Sequence, residues 1–375
     1  MSDHLRDLDD VDGLVAADHN GLLRSAAMSG AHVRAVAHAV AEGALAPLAD
    51  LRPRAVVVVT GSSASARRAA EFVVTLLAAH VDVPLVVAPS LPGWIGPLDV
   101  VVAAGDDPGD RSYADAALRA LRRRAEFVAA VPVEGPFADA VGAQSIADLS
   151  PRLPVDTRFG FVRIVAALVA VCTAFGAVRM HPAPPALADV ADLLDVEATV
   201  DHPDNESFRN QAKLLAMRVD GRPLAWAGDT PASTSLAEHI AATVFAVAGI
   251  ASAAGDEAGV LAHLRVPAAA GPSTVDAIFY DPDFDDAPPV EGPRVMLLTT
   301  AARSWGVEHR TAAFGDVDVV TEQAGTAPDG VSGPTGDQGV AEFGDVPADL
   351  AAYLTVAVRA DFAAAYLDLT GAAAR

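Results

Sequence analysis

Ala55-Val56-Val57-Val58-Val59-Thr60-Gly61-Ser62-Ser63 is the stretch whose reading decides the fold. An unbroken apolar, β-branched run with no polar alternation reads as a strand covered on both faces, which is the condition of a parallel sheet. It stops at a glycine and two serines, and Ala64–His80 resumes with helical spacing. Working outward, short apolar runs recur at Leu85–Ala88, Asp99–Ala104 and Glu126–Val131, with Ala114–Arg124 as a helix between the last two. Asp156–Val178 reads as a long helix that closes the unit. Strands alternating with helices in this way specify a doubly wound parallel sheet.

The pattern then repeats. His181-Pro182-Ala183-Pro184-Pro185 is a stiff linker. Beyond it, helices are expected at Ala186–Ala198, Ser207–Val219, Ser235–Ile250 and Pro347–Leu369. Strands are expected at Leu224–Ala227, Val275–Tyr280, Val295–Thr299 and Val317–Thr321, and Gln323–Asp345 as a loop or lid. The first 50 residues read as helical, mainly over His19–Val40. The expected architecture is α/β, with a helical segment over 1–50 and two doubly wound, flavodoxin-like parallel-sheet domains over 51–180 and 186–375.

Composition bounds the function. The chain of 375 residues is 52% hydrophobic but only 5% aromatic, so its cores must be built from Ala, Val and Leu. A formal charge of −23 opposes binding to nucleic acid phosphates and to anionic membrane surfaces. The acidic N-terminus lacks the regions of a signal peptide. No apolar run reaches the roughly 20 residues of a membrane span, since Arg163 interrupts Phe161–Val178. A cytoplasmic location is expected. The lone Cys172 excludes an internal disulfide and is expected as a packed thiol, and the lone Lys213 as an exposed helix residue.

Two turns are candidate anion cradles. Thr60–Ser65 offers free amides and hydroxyls at a strand end that opens a helix. Gly228-Asp229-Thr230 with Ser233 and Thr234 does the same in the second half. Helix capping uses the same residues, so both readings stand at each turn. Neither a Gly-Lys-Ser/Thr loop nor a dinucleotide glycine fingerprint is present, and no cofactor is expected. His32 and His38 are six apart, and Asp281–Asp286 lacks the closing Glu of a calcium loop, so no metal is expected either.

The strand ending in Gly-Ser, the helical preamble and the second such unit together resemble the bifunctional phosphoglucose/phosphomannose isomerase family of the sugar-isomerase (SIS) superfamily. Val59–Ser63 matches that family's glycine-rich first turn in part. Val102–Asp107 stands in place of its Ser/Thr-rich phosphate loop, keeping Gly105 but carrying Val, Ala and Asp where hydroxyls belong. Pro154–Gly160 is similar to its proline-led segment with an electrophilic Arg, which makes Arg158 the counterpart. Glu238 corresponds to the proton-transferring base, although Ala237 and Ala241 replace its flanking Asn and Lys. The family's downstream loop His is missing, leaving His239 or His263 as stand-ins.

The resemblance implies a hexose 6-phosphate ligand, aldose–ketose isomerisation and a homodimer. Its expected ligand-binding residues are Gly61, Ser62, Ser63, Gly105, Ser233 and Thr234, and its expected catalytic residues are Glu238, Arg158 and His239. Asp106, Asp107 and Asp110 oppose a phosphate dianion at the altered loop. The expectation is therefore a degenerate, isomerase-like sugar-phosphate binder, with a non-catalytic scaffold or regulator that binds a sugar phosphate or a partner protein as the alternative.

Overall fold

The computed structural model describes residues 7–219, 221–265, 292–323 and 344–371. Helices α1 (Val11–Ala17), α2 (Leu22–Ala27) and α3 (Ser29–Ala41) open the chain. The first sheet unit runs β1 (Ala55–Val59), α4 (Ala64–Leu77), β2 (Leu85–Ala88), β3 (Asp99–Ala104), α5 (Arg111–Arg122), β4 (Glu126–Ala130), α6 (Gly135–Val141), β5 (Ala147–Asp148) and α7 (Phe161–Ala174). Two helices follow, α8 (Leu187–Val200) and α9 (Gln211–Val219). The second unit runs β6 (Leu224–Gly228), α10 (Pro231–Ala248), β7 (Ala253–Asp256), α11 (Glu257–Arg265), β8 (Arg294–Leu298), α12 (Ala301–Thr311), β9 (Val317–Val320) and α13 (Leu350–Leu369).

Both sheets are parallel and share one winding scheme. The first has strand order β2-β1-β3-β4-β5 and the second β7-β6-β8-β9. In each, the chain winds outward from a central strand in both directions, which leaves a crevice at the carboxyl ends of β1 and β3, and of β6 and β8. The expected α/β architecture with two such sheets is what the chain forms.

The period of two along each strand divides the core. Val56 and Val58 of β1 face one side, while Val57 and Val59 face the other with α5 and α6. In the second sheet Trp226 of β6 and Met296 of β8 point the same way as Val56, while Ala227 and Leu297 turn to a smaller cluster. The inward faces of both sheets join one core with α4, α7, α10 and α13. Most of this core is Ala, Val and Leu, as the composition required, around a few rings such as Phe72, Trp226 and Tyr353.

Several details differ from the sequence expectation. The closing helix starts at Phe161 rather than Asp156, because the Asp156 carboxylate caps a separate short turn by accepting from the Arg158 amide at 3.0 Å. Two strands escaped notice, Ala147–Asp148 and Ala253–Asp256, since neither contains a β-branched residue. The helix Pro347–Leu369 has the length and hydropathy to cross a membrane, but 83% of its apolar window is buried inside the protein. The expected strand Val275–Tyr280, the acid-dense Asp281–Asp286 and most of the expected lid, 324–343, lie outside the described residues.

Candidate functional site

The first crevice brings Gly61, Ser62, Ser63 and Gly105 together. Ser63 begins α4 as its cap, its hydroxyl accepting from the Ala66 amide at 3.1 Å. Beside it, one oxygen of Asp110 accepts from both the Ser62 amide (2.7 Å) and the Ser62 hydroxyl (2.8 Å). The other Asp110 oxygen caps α5 through the Ser112 amide at 2.8 Å. Burial opposes charge on this carboxyl, but the Ser62 and Ser112 donors outweigh it and hold it at about 2. Ser63 also donates to Asp106 at 3.2 Å. Burial pushes Asp106 upward, against the nearby Arg163 and Ser63. The chain's own carboxylates thus stand on the donors that an external anion would need.

Tyr113 closes the crevice floor. Its hydroxyl lies 2.7 Å from the Thr60 carbonyl oxygen and 2.9 Å from that of Ala104. A side chain at Gly105 would collide with this ring, and one at Gly61, whose φ is +55°, with the Asp110 carboxylate.

The arginine at this crevice is Arg163, not Arg158. Arg163 is 2% exposed and donates to the carbonyls of Ala130 (3.2 Å) and Gly105 (3.1 Å), with Asp106 at 3.7 Å. Its signal in the sequence was a single charge inside an apolar helix, which cannot be buried without partners. Arg158 instead forms a two-pronged pair with Asp156, at 3.0 and 2.7 Å.

The second crevice is a closed network. Asp229 accepts from the hydroxyls of Ser233 (2.9 Å) and Thr299 (2.6 Å) and from the Arg303 guanidinium (2.9 Å). Arg303 also reaches Asp349 at 3.0 Å and the Tyr353 hydroxyl. The carboxylate of Asp345 accepts from Thr230 (2.7 Å), Tyr353 (2.7 Å) and the Ala232 amide in the first turn of α10 (2.9 Å). Thr230 caps α10 and Ser233 completes the capping box, its hydroxyl accepting from the Thr230 amide at 2.9 Å, while the Thr234 hydroxyl donates back to the Thr230 carbonyl at 2.8 Å. Sequence reasoning missed Arg303, Asp345 and Tyr353, which are brought together only by the β8 end and α13.

Glu238 and His239 lie two turns into α10, about 10 Å along its axis from Pro231. Glu238 is exposed, with Arg68 of α4 in electrostatic range. His239 is 1% exposed and stacks on Phe161 with centroids 3.7 Å apart. Burial, assisted by Arg68, holds its imidazole well below the usual range and therefore neutral. Phe161 contacts Phe72, and Phe72 contacts Tyr353, each at 5.7 Å, so a run of rings links His239 to the second crevice through the core. His263 is exposed on α11. Cys172 is buried, which pushes its thiol up to about 12.

No protein-family model and no curated protein matches the chain. Solved structures do match. A Clostridium novyi protein assigned as a tagatose-6-phosphate ketose/aldose isomerase aligns with TM-score 0.56 at 10% identity, covering 96% of this chain and 90% of that one. The C-terminal domain of glucosamine-fructose-6-phosphate aminotransferase from Francisella tularensis aligns with TM-score 0.54 at 9% identity, covering 93% and 96%. A Bacillus subtilis protein assigned as a phosphosugar isomerase aligns with TM-score 0.52 at 15% identity, covering 92% and 94%. At such identities the likeness establishes fold and nothing finer: this chain has the two-sheet fold of the SIS-type phosphosugar isomerases.

Proposed function

We propose that the chain is a SIS-type protein that binds hexose 6-phosphates weakly and does not isomerise them. The observation that carries this reading is the Asp110 carboxylate on the amide and hydroxyl of Ser62. A phosphate dianion must displace that carboxylate and then tolerate it nearby, which costs affinity. Isomerisation further needs a base and an acid on neighbouring atoms of one ligand. Glu238 is exposed, His239 is stacked inside the core and Arg158 is held by Asp156. A cytoplasmic homodimer, with a domain boundary at 181–185, belongs to the same proposal.

Calorimetric titration with mannose, glucose and fructose 6-phosphates, followed by a coupled isomerase assay, tests it. Weak binding that tightens about tenfold in Asp110→Asn, without turnover, is expected. Turnover that disappears in Glu238→Gln would show an active isomerase instead. No binding by either protein would remove sugar phosphate as the ligand class.

A further inference from the structure

Two carboxyl groups face the serines of the first crevice, and they are held in opposite ways. Asp110 accepts from the Ser62 amide (2.7 Å), the Ser62 hydroxyl (2.8 Å) and the Ser112 amide (2.8 Å). Asp106 accepts from one hydroxyl, that of Ser63, at 3.2 Å. Its Oδ1 is buried and lies 3.7 Å from Arg163, beyond good hydrogen-bond reach. The terminal nitrogens of Arg163 are spent on the Ala130 and Gly105 carbonyls. The Asp106 side chain is 12% exposed, so its ionised form has lost most of its water and gained little in exchange.

The surroundings decide which carboxyl can take up a proton. Arg163 of α7, Tyr113 of α5 and the carboxylates of Asp107 and Asp110 are the titratable and charged groups gathered around Asp106. His32 of α3 stands behind Arg163, which together with burial keeps its imidazole neutral. Burial pushes Asp106 above the ordinary carboxylate range, against Arg163 and Ser63, whereas Asp110 is held at about 2.

Ser62 is exposed at the mouth of the crevice, so an anion reaches its amide from solvent. That anion adds negative charge where Asp106, Asp107 and Asp110 already stand. We infer that the first crevice is an acid-gated anion site, in which a bound sulfate or phosphate group is accompanied by a proton on Asp106. The proton removes one repelling charge and frees the Ser63 hydroxyl to turn from Asp106 to the anion. It comes from the solvent, so affinity rises as pH falls. The inference deepens the sugar-phosphate reading and rests on the anion position assigned there.

The experiment is titration of the full chain with inorganic sulfate, whose charge stays constant between pH 5.5 and pH 8. Binding is followed through the amide resonances of Ser62 and Ser63, and calorimetry in two buffers of different ionisation enthalpy counts protons. Affinity at least fivefold higher at pH 5.5 than at pH 8, with net proton uptake, is expected. The side-chain carboxyl carbon of Asp106 should shift towards its protonated value as sulfate is added to the parent chain. Asp106→Asn should bind at pH 8 about as tightly as the parent does at pH 5.5, without proton uptake, while Asp110→Asn should keep the pH dependence. Sulfate binding that is equal at both pH values overturns the gate and leaves the anion site standing. Retained pH dependence in Asp106→Asn, or an unmoved Asp106 carboxyl carbon, also overturns it. No shift of the Ser62 and Ser63 amides at either pH overturns both the gate and the site.

Discussion

The amide and the hydroxyl of Ser62 both donate to a single oxygen of Asp110, at 2.7 and 2.8 Å. This contact joins the turn after β1 to the start of α5 and sets the acid response of the first crevice. Asp110 sits at about 2 in the folded chain and near 3.9 when unfolded. Its folded value is depressed, so its stabilisation is complete above about pH 5 and is lost as the pH falls through 4 towards 2. Asp110→Ala should cost about 1–2 kcal/mol at neutral pH and flatten that acid limb. Denaturant midpoints measured from pH 7 to pH 3 would show it, and parallel pH curves for variant and parent would contradict the assignment.

Asp201 behaves in the opposite sense. Burial and the neighbouring Glu197 push its carboxyl well above the usual range, although the Ala212 amide and Arg359 act against them. One of its oxygens accepts from the Ala212 amide at 2.9 Å, while the other is buried beside Glu197. The unfolded chain ionises this group near 3.9, so its raised folded value makes stability fall as pH rises above about 4. Asp201→Asn keeps the accepting oxygen and removes the ionisation. It should stabilise the protein by at least about 1 kcal/mol at pH 8, with a smaller gain at pH 5; an equal effect at both values would refute the mechanism.

Gly105 and Gly228 should differ in how they can be rescued. A methyl group at Gly105 would overlap the Tyr113 hydroxyl, whereas one at Gly228 would overlap the backbone of Ser233 and Thr234. Each alanine substitution should cost about 1–3 kcal/mol or more. Tyr113→Leu should recover part of the Gly105→Ala loss in thermal unfolding. Because the obstruction at Gly228 is main chain, no single side-chain change should recover Gly228→Ala.

His239→Phe tests whether the imidazole has any chemical duty. The ring stack on Phe161 survives the change, and a buried Nδ1 without a hydrogen-bond partner is removed together with the long 3.5 Å contact of Nε2 with the Thr243 hydroxyl. Stability should stay the same or rise by about 1 kcal/mol, with hexose 6-phosphate affinity unaltered. A drop in affinity or in any turnover would restore His239 as a functional residue.

Four strands of the first sheet were legible because each is a short, mostly apolar run rich in Val or Ala, and period two placed Val56 and Val57 on opposite faces; the two-residue Ala147–Asp148 was not. Strands such as Ala253–Asp256 were not, since their composition is that of a turn and pairing with β6 alone makes them strands. The Gly-Ser turn lies at the first crevice, and the opposition of Asp106 and Asp110 to a dianion was readable from charge. Their placement on the serine donors was not readable, because Ser62 and Asp110 are 48 positions apart. Arg303, Asp345 and Tyr353 were invisible for the same reason: nothing local marks residues that meet only across the second sheet. Lys213 was misread as exposed. It is fully buried, and its amine donates to the carbonyls of Pro203 (2.9 Å) and Asn205 (2.8 Å) and pairs with Asp9 at 3.3 Å.

That burial has a consequence for handling the protein. The chain contains one lysine, and its side chain has no exposed surface. Reagents that acylate lysine side chains, and enzymes that attach modifiers to them, therefore have no target while α9 stays docked. Consumption of Lys213 would count opening events, giving a clock for local unfolding at the junction of α8, α9 and α13 that needs no engineered label.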